Sequence, residues 1–342
     1  MTAVAIDNVS IVFGPAPEKA LPLMDAGQSR AEIQSATAQV LGVHNCSLEV
    51  AKGEILVLMG LSGSGKSTLL RAINGLNKVV RGKVTIFVDD WSCDVTMAQP
   101  AQLRKVRREC VAMVFQQFGL LPWRSVRENV GLGLELAGQS QQERDQKVDE
   151  QLALVGLDEW GGRKVNELSG GMQQRVGLAR AFVTQAPVLL MDEPFSALDP
   201  LIRNRLQDEL LEIQERLKRT IIFVSHDLDE AFKIGNRIAI MEGGRIVQCG
   251  SPREIFSAPV NEYVADFVAN MNPLEVLTAG DVLEPGTASG PSVDFDANLA
   301  DLIALLNSDH EDCAVVRGKE PLGRVTRASL LRRLVNPQAL GR

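Results

Sequence analysis

Three short apolar runs without polar interruptions stand out in the hydrophobic pattern of the chain. They cover residues 55–59, 188–191 and 221–224, the last within a strand predicted at 220–225. A run of this length without alternation is typical of a strand that is buried on both faces, as in a parallel sheet. A helical pattern begins at Ser67, shortly after the first run, and completes a strand–loop–helix unit. The pattern therefore predicts an α/β core built on a parallel sheet.

A second, smaller pattern follows near the C-terminus. Residues 284–292, EPGTASGPS, have the composition of a linker. Beyond them, one helix face is formed by Leu299, Leu302, Ile303 and Leu306. Two short strands at 313–317 and 322–325 follow, and a helix at 327–334 closes the pattern. We predict a small α/β tail after the core.

Composition and charge exclude several classes of protein. The 342 residues are 45% hydrophobic and 23% charged, which is ordinary for a globular chain and excludes a mainly disordered one. The net charge of -7 argues against a general nucleic-acid binder.

No apolar run reaches the roughly 18 residues that span a bilayer. The N-terminal residues have no basic and apolar regions of the secretory kind, so we expect no signal peptide.

The cysteines and histidines give no sign of a metal centre. Five scattered cysteines without a CxxC pair, together with three histidines, argue against a disulfide framework or a zinc site. A reducing compartment is the expected location.

Residues 60–67, GLSGSGKS, match the phosphate-binding loop G-x-x-x-x-G-K-[ST] between the predicted strand and helix. Glycines let backbone N–H groups point at phosphate oxygens, and the helix N-terminus favours the negative charge. We expect Lys66 to reach the β- and γ-phosphates of a nucleotide and Ser67 to ligate Mg²⁺. The predicted phosphate-binding residues are Gly60, Leu61, Ser62, Gly63, Ser64, Gly65, Lys66, Ser67 and Thr68.

Two adjacent carboxylates end the apolar run at 188–191. Asp192 would lie at the C-terminal end of a parallel strand, where ligands bind in open α/β sheets. We expect it to hold Mg²⁺ and Glu193 to take the proton of an attacking water.

Residues 168–175, LSGGMQQR, precede another helical run and carry a family resemblance. The chain resembles the ATPases of ABC transporters, whose signature begins LSGG. The fifth signature position is most often Gln in that family and is Met172 here, with Gln173 next. The resemblance implies that the ATP of a partner subunit is contacted by Ser169, Gly170, Gly171, Met172 and Gln173.

Further family motifs can be matched along the chain. Gln116 resembles the Q-loop glutamine, with Gln117 the less favoured neighbour, and Ser196 and Asp199 resemble the D-loop. His226 resembles the switch histidine that contacts the γ-phosphate. The resemblance thus implies three catalytic residues, which are Glu193, His226 and Gln116. It also implies three Mg²⁺ ligands, which are Ser67, Gln116 and Asp192.

The ABC resemblance also implies an architecture and an assembly. It predicts a P-loop ABC ATPase core at 1–270, with an antiparallel β subdomain and a helical subdomain near 117–175. It implies ATP and Mg²⁺ as cofactors and hydrolysis of ATP to ADP and phosphate. The expected partners are a second ATPase copy, two membrane permeases and a periplasmic or lipid-anchored substrate-binding protein, with no nucleic acid. The expected location is peripheral, on the cytoplasmic side of the inner membrane.

An insertion near the N-terminus makes the resemblance to ABC ATPases more specific. The family stacks adenine on an aromatic residue about 25 residues before the phosphate loop, whereas Phe13 lies 47 residues before Gly60. The extra segment contains Ser29-x-x-Glu32, which predicts a capping box and a short helix. This insertion resembles the glycine betaine, proline and choline importers. Choline is the first expected solute and glycine betaine or proline betaine the next, with Phe13 as the candidate adenine partner.

The tail beyond a linker at 271–291 resembles a single CBS motif over 292–336. We expect two such half-modules to pair across a homodimer, and the alternative is a vestigial dimerisation piece. Adenosine-binding CBS motifs commonly have Asp where Ser329 stands, which argues against nucleotide sensing.

Other interpretations remain open at this point. The chain could energise an importer for another solute, or be an ABC ATPase outside transport or a small-molecule kinase. Trp123, in the LLPW stretch after Gln116, could form a membrane-subunit interface or belong to the local core. The basic run at 104–108 is expected to be a solvated helix face.

Overall fold

The computed structural model of the protein describes residues 1–116, 119–196, 198–307 and 310–335. The chain divides into two compact units, Met1–Val247 and a second one that begins at Gln248. Within the described ranges, no helix is long and apolar enough to cross a membrane. The domain boundaries proposed near residues 270 and 291 stay predictions.

The strands of the described chain are β1 (Thr2–Phe13), β2 (Val40–Ala51), β3 (Ile55–Met59), β4 (Arg81–Val88), β5 (Trp91–Asp94), β6 (Val111–Val114), β7 (Val188–Asp192), β8 (Thr220–Val224), β9 (Arg237–Glu242), β10 (Arg245–Gly250), β11 (Ser292–Asp294), β12 (Asp312–Arg317) and β13 (Glu320–Thr326). The α-helices are α1 (Leu21–Asp25), α2 (Arg30–Thr37), α3 (Lys66–Ile73), α4 (Pro100–Lys105), α5 (Val126–Val130), α6 (Leu132–Leu136), α7 (Gln141–Leu154), α8 (Gly170–Val183), α9 (Pro200–Leu217), α10 (Leu228–Ile234), α11 (Pro252–Ser257), α12 (Glu262–Val268), α13 (Pro273–Val276), α14 (Leu299–Asn307) and α15 (Arg327–Val335).

A six-stranded sheet in the order β10-β9-β3-β8-β7-β6 forms the centre of the first unit. Strands β9, β3, β8, β7 and β6 pair in parallel. The three apolar runs form β3, β7 and β8 side by side, and every residue of these strands is buried. The predicted parallel α/β core is confirmed. Because the strands are parallel, the segments that follow them meet at one edge of the sheet.

A second sheet of the first unit is antiparallel and has the order β2-β1-β4-β5. The inserted segment connects β1 to β2, whose ends meet at the pair Phe13 and Val40. It contains α1 and α2, and α2 begins with the predicted capping box, because Ser29 and Glu32 bond each other's backbone N–H groups. The insertion has its own small core, formed by Val12, Ala20, Met24, Ile33 and Leu41. The insertion is therefore a packed substructure attached to the antiparallel sheet.

Helices α5 to α8 pack around a separate apolar cluster, as the expected helical subdomain requires. Its members include Val130 of α5, Leu134 of α6, Leu152 of α7 and Ala179 of α8, all buried. The antiparallel and helical parts predicted by the ABC resemblance are both present.

The second unit contains a three-stranded sheet in the order β11-β12-β13. Strand β12 pairs in parallel with β11 and in antiparallel with β13. Helix α14 buries Leu299, Leu302 and Leu306 of the predicted apolar face. The order α14, β12, β13 and α15 matches the predicted helix, two strands and helix, with strands longer than expected, whereas β11 is an additional strand that was not predicted. The likeness to a CBS motif stays a prediction.

Candidate nucleotide-binding site

Residues 60–67 form the loop between β3 and α3, and two of its glycines have backbone conformations that a side chain would not tolerate. Gly60 has φ 141° and Gly65 has φ 102°. A Cβ on Gly60 would lie 2.2 Å from the carbonyl oxygen of Met241, and one on Gly65 would lie 2.6 Å from that of Gly42. Glycine is therefore required at both positions for the loop to follow this path.

Lys66 begins α3, one residue earlier than predicted, and its side chain lies under the loop. The residue is only 5% exposed. Its Nζ donates to the carbonyl oxygens of Gly60 at 2.8 Å and Leu61 at 3.1 Å. Burial lowers the pKa of this ammonium group, and the nearby Glu193 and Asp192 oppose that shift. The loop thus presents a positive charge where a phosphate would bind.

A cavity of about 390 Å³ opens above this loop. Its lining combines loop residues 62, 63 and 65 and the first turn of α3 with Glu193 and with Phe13, Arg30 and Gln34 from the N-terminal region. The Phe13 ring lies beside α3, since a Cβ on Gly42 would be 2.9 Å from it and 3.0 Å from Thr68. The volume lies in the range of small-molecule sites. Phe13 therefore shares a cavity with the phosphate-binding loop despite its long separation in sequence.

The three expected catalytic residues lie together, because Gln116 and His226 both contact the Glu193 carboxylate. Glu193 Oε2 accepts a hydrogen bond from Gln116 Nε2 at 3.1 Å and lies 3.2 Å from His226 Nδ1. These residues follow β6, β7 and β8, which are adjacent, so the sheet order brings them together. Glu193 adopts the left-handed conformation with φ 46°, which is unusual for a residue with a side chain and turns the chain out of β7. The arrangement can hold a water against a basic oxygen beside the cavity.

Asp192 has a partner that the sequence reasoning missed. The residue is 1% exposed, and its Oδ2 accepts from Arg71 Nε at 3.1 Å and Nη2 at 2.8 Å. Arg71 lies four residues after Ser67 on α3, so the two lie on one face of the helix. The four-residue spacing between Ser67 and Arg71 is the sequence signal that could have placed Arg71 near the site.

The expected Mg²⁺ ligands are a hydroxyl, an amide oxygen and a carboxylate, from Ser67, Gln116 and Asp192. These are the hard oxygen donors that Mg²⁺ prefers. Across the described residues, no group of three or more His, Cys, Asp or Glu could hold a metal on its own. This donor set fits an ion that completes its coordination with phosphate oxygens and water, as Mg²⁺ does in nucleotide sites.

The signature residues form the first turn of α8. Ser169 caps the helix by accepting from the N–H of Met172 at 3.4 Å, and Gln173 N–H donates to the Ser169 carbonyl oxygen at 2.9 Å. A Cβ on Gly170 would meet nothing within 4 Å, so this turn is open on its outer side. Among the described residues that line the nucleotide cavity, none comes from this turn. The turn is therefore available to a ligand outside the chain's own cavity.

The D-loop residues connect Glu193 to the following helix. Ser196 Oγ donates to the Glu193 carbonyl oxygen at 3.0 Å, and Asp199 caps α9 by accepting from Ile202 N–H at 3.2 Å. Ala197 and the alternative glutamine Gln117 lie outside the described residues.

Comparisons with known proteins agree with this geometry. The ABC transporter family profile matches residues 43–196. The glycine betaine transport ATP-binding protein OpuAA of Bacillus subtilis is 49% identical over 82% of this chain and 66% of its own length. ProV of Escherichia coli, a glycine betaine/proline betaine transport system ATP-binding protein, is 44% identical over 98% of this chain and 83% of its own.

A solved structure supports the fold. The dimeric structure of MJ0796, a bacterial ABC transporter cassette, superimposes with a TM-score of 0.60 at 30% identity, covering 72% of this chain and 98% of that one. The matched family segment runs from β2 to Ser196 and so contains the phosphate-binding loop, the signature and the β7 carboxylates. The chain belongs to the family of ABC transporter ATP-binding proteins, which hydrolyse ATP with Mg²⁺ as cofactor.

Proposed function

We propose that this chain is the ATP-hydrolysing subunit of an importer for a quaternary ammonium compound. One observation carries the hydrolytic part, namely the Glu193 carboxylate between Gln116 and His226 at the edge of the nucleotide cavity. A kinase would need a second substrate at this position, whereas a water fits the space beside a basic carboxylate. The assignment to transport rests on the names of the relatives, which are transport ATP-binding proteins.

In the proposed mechanism, Lys66 and the loop amides bind the phosphates of ATP and hold them in line with an attacking water. A bound Mg²⁺, held by Ser67, Gln116 and Asp192, would neutralise charge on the phosphates. Glu193 accepts the proton of the water as it attacks. His226 donates to the γ-phosphate from one ring nitrogen while the other faces Glu193. Catalysis is then mainly positioning and charge stabilisation.

The first turn of α8 is proposed to complete the site of a second ATPase copy. Its Ser169 cap and open Gly170 leave N–H groups facing outward at a helix N-terminus, which favours an anion. The name of the MJ0796 structure describes a dimer of that cassette. A head-to-tail homodimer would therefore have two ATP sites, each built from both copies.

A groove in the helical part is the proposed contact for the two membrane permeases. It has a volume of about 610 Å³ and is lined by Trp123, Arg124, Arg127 and Glu135 among others. Trp123 is 69% exposed, so the interpretation as local core is wrong. An exposed aromatic residue rimmed by charges is typical of a protein interface. The chain would then lie peripherally on the cytoplasmic side of the membrane, and a substrate-binding protein would deliver the solute on the other side.

The proposed solute is glycine betaine or proline betaine. OpuAA is named for glycine betaine and ProV for glycine betaine and proline betaine, whereas neither is named for choline, our first expectation. The tail is proposed to pair with its copy as a CBS-like half-module, and deletion of the residues beyond 290 should then lower the oligomeric state in solution or change the regulation of transport.

Uptake of labelled glycine betaine and choline, in cells that hold the permeases and the binding protein, tests the function. Lys66→Ala should abolish glycine betaine uptake, because the loop loses its phosphate-binding charge. Lys52→Ala, which removes an exposed partner of Asp89, is the matched control and should transport normally. Loss of choline uptake alone would reverse the solute order. Unchanged uptake of both would refute the assignment to quaternary ammonium import.

A further inference from the structure

Arg30 is the first residue of α2, and its guanidinium joins the insertion to the phosphate-binding loop. Its Nη1 donates to the carbonyl oxygen of Gly63 at 2.7 Å, and its Nη2 donates to that of Gly42 at 2.6 Å. Gly63 lies at the tip of the loop, and Gly42 lies in β2 next to the Phe13 ring. One side chain therefore connects the phosphate end of the cavity to the wall that carries Phe13.

A third segment packs against the same guanidinium. A Cβ on Gly244, in the turn between β9 and β10, would lie 2.5 Å from Arg30 Nη2. The Gly244 N–H donates to the Ser64 carbonyl oxygen at 3.1 Å, so this turn also holds the loop. The planar fork of an arginine can bond two carbonyl oxygens at once, which the ammonium of a lysine does less well.

The insertion is built to hold Arg30 in place. The capping box of Ser29 and Glu32 fixes the first turn of α2, and the buried Ile33 anchors the helix in the insertion core. A bidentate ion pair between Asp25, the last residue of α1, and Arg81 ties the first helix of the insertion to β4. Arg30 thus acts from a rigid support on a loop tip whose residues 61–63 are exposed.

We propose that Arg30 is a positioning residue that clamps the tip of the phosphate-binding loop, so that the inserted helix sets the affinity for the nucleotide. The proposal rests on the nucleotide site proposed above. An exposed glycine-rich tip has several accessible shapes, and binding must select the one that fits phosphate. Because Arg30 already holds the tip in one shape before the nucleotide binds, the free-energy cost of ordering the loop on binding is lower.

The test measures Mg²⁺-dependent binding of a fluorescent mant-ATP probe to the full chain. Arg30→Met keeps an unbranched side chain about as long as the aliphatic part of the arginine and removes both hydrogen bonds, and it should weaken binding about tenfold. Arg30→Lys should recover part of the loss, because an ammonium can still reach one carbonyl oxygen. Arg81→Met is the matched control: it breaks the other tie of the insertion and should stay within about twofold of wild type.

Hydrogen exchange provides a readout independent of the nucleotide. In the nucleotide-free protein, amides 60–67 should exchange faster in Arg30→Met than in Arg81→Met, while the β3 amides stay protected in both. Equal exchange and equal affinity in the two variants would overturn the clamp. An equal loss of affinity in both would show that the whole insertion matters and would also overturn the role of Arg30. Lys66→Ala separates the two proposals: unchanged mant-ATP binding in that variant would overturn the nucleotide site itself, and the clamp with it.

Discussion

Removing the guanidinium of Arg71 should destabilise the first unit, because the buried Asp192 carboxylate loses its partner. The Asp192 carboxylate is almost fully buried and accepts two hydrogen bonds from Arg71, whose side chain is 43% exposed. In Arg71→Met, an aliphatic chain of similar length stays and the charge is lost.

The magnitude follows from the burial of the two partners. Leaving a fully buried charge without its partner costs about 3–5 kcal/mol. The exposure of Arg71 lets water screen the pair, which we discount to about 2 kcal/mol. A unit of this size loses roughly 2–4 °C of melting temperature for each kcal/mol, so we expect a decrease of about 4–8 °C. Arg163→Met, which breaks the exposed pair with Glu167, is the control and should cost about 1 °C or less.

The assay is thermal unfolding with and without Mg²⁺ and ATP. If a cation binds near Asp192 as proposed, it would take over part of the role of Arg71, and the deficit of Arg71→Met should shrink by about half or more in the ligated protein. A deficit below about 1 °C without ligand would refute the stabilising role of the pair. A deficit of the same size in both conditions would refute the placement of the cation at Asp192.

Three further predictions concern the site, the insertion and the thiols. Glu193→Gln should keep mant-ATP binding and lose about 10²–10⁴-fold in steady-state turnover, because an amide cannot accept the proton of water; near-normal turnover would contradict that role. Ile33→Ala should cost about 2–5 kcal/mol in urea unfolding, because it leaves a cavity in the insertion core; a loss under about 0.5 kcal/mol would mean that the insertion does not fold with the rest of the unit. Burial raises the pKa of the Cys46 and Cys110 thiols to about 11 each, so both stay protonated at pH 8. Iodoacetamide followed by mass spectrometry should label neither until denaturant is added, and labelling of the native protein at the rate of a free thiol would contradict this.

The sequence alone predicted a helix or strand correctly wherever one short segment contains all the residues that define it. The short apolar runs correctly predicted β3, β7 and β8, since an unbroken apolar run of this length is typical of a strand covered on both faces. The Ser29–Glu32 spacing predicted the start of α2, because both capping bonds form within one turn. Strand β3 has its predicted bounds, β7 runs one residue further to Asp192, and β8 ends one residue earlier at Val224, because strand ends depend on pairing with a neighbouring strand.

The sequence by itself determined which residue types are available for nucleotide chemistry and in what order they occur. It also indicated the glycines of the phosphate-binding loop, since their backbone conformations are local. Only the tertiary structure decided which side chains meet. Gln116 and Glu193 are 77 residues apart and bond because β6 and β7 are neighbours in the sheet. Arg71 and Asp192 are 121 residues apart and bond because α3 packs against β7. The contact of Arg30 with Gly63 likewise depends on how the insertion packs on the antiparallel sheet. Partners so distant in the chain are chosen by strand order and packing, which no local spacing encodes.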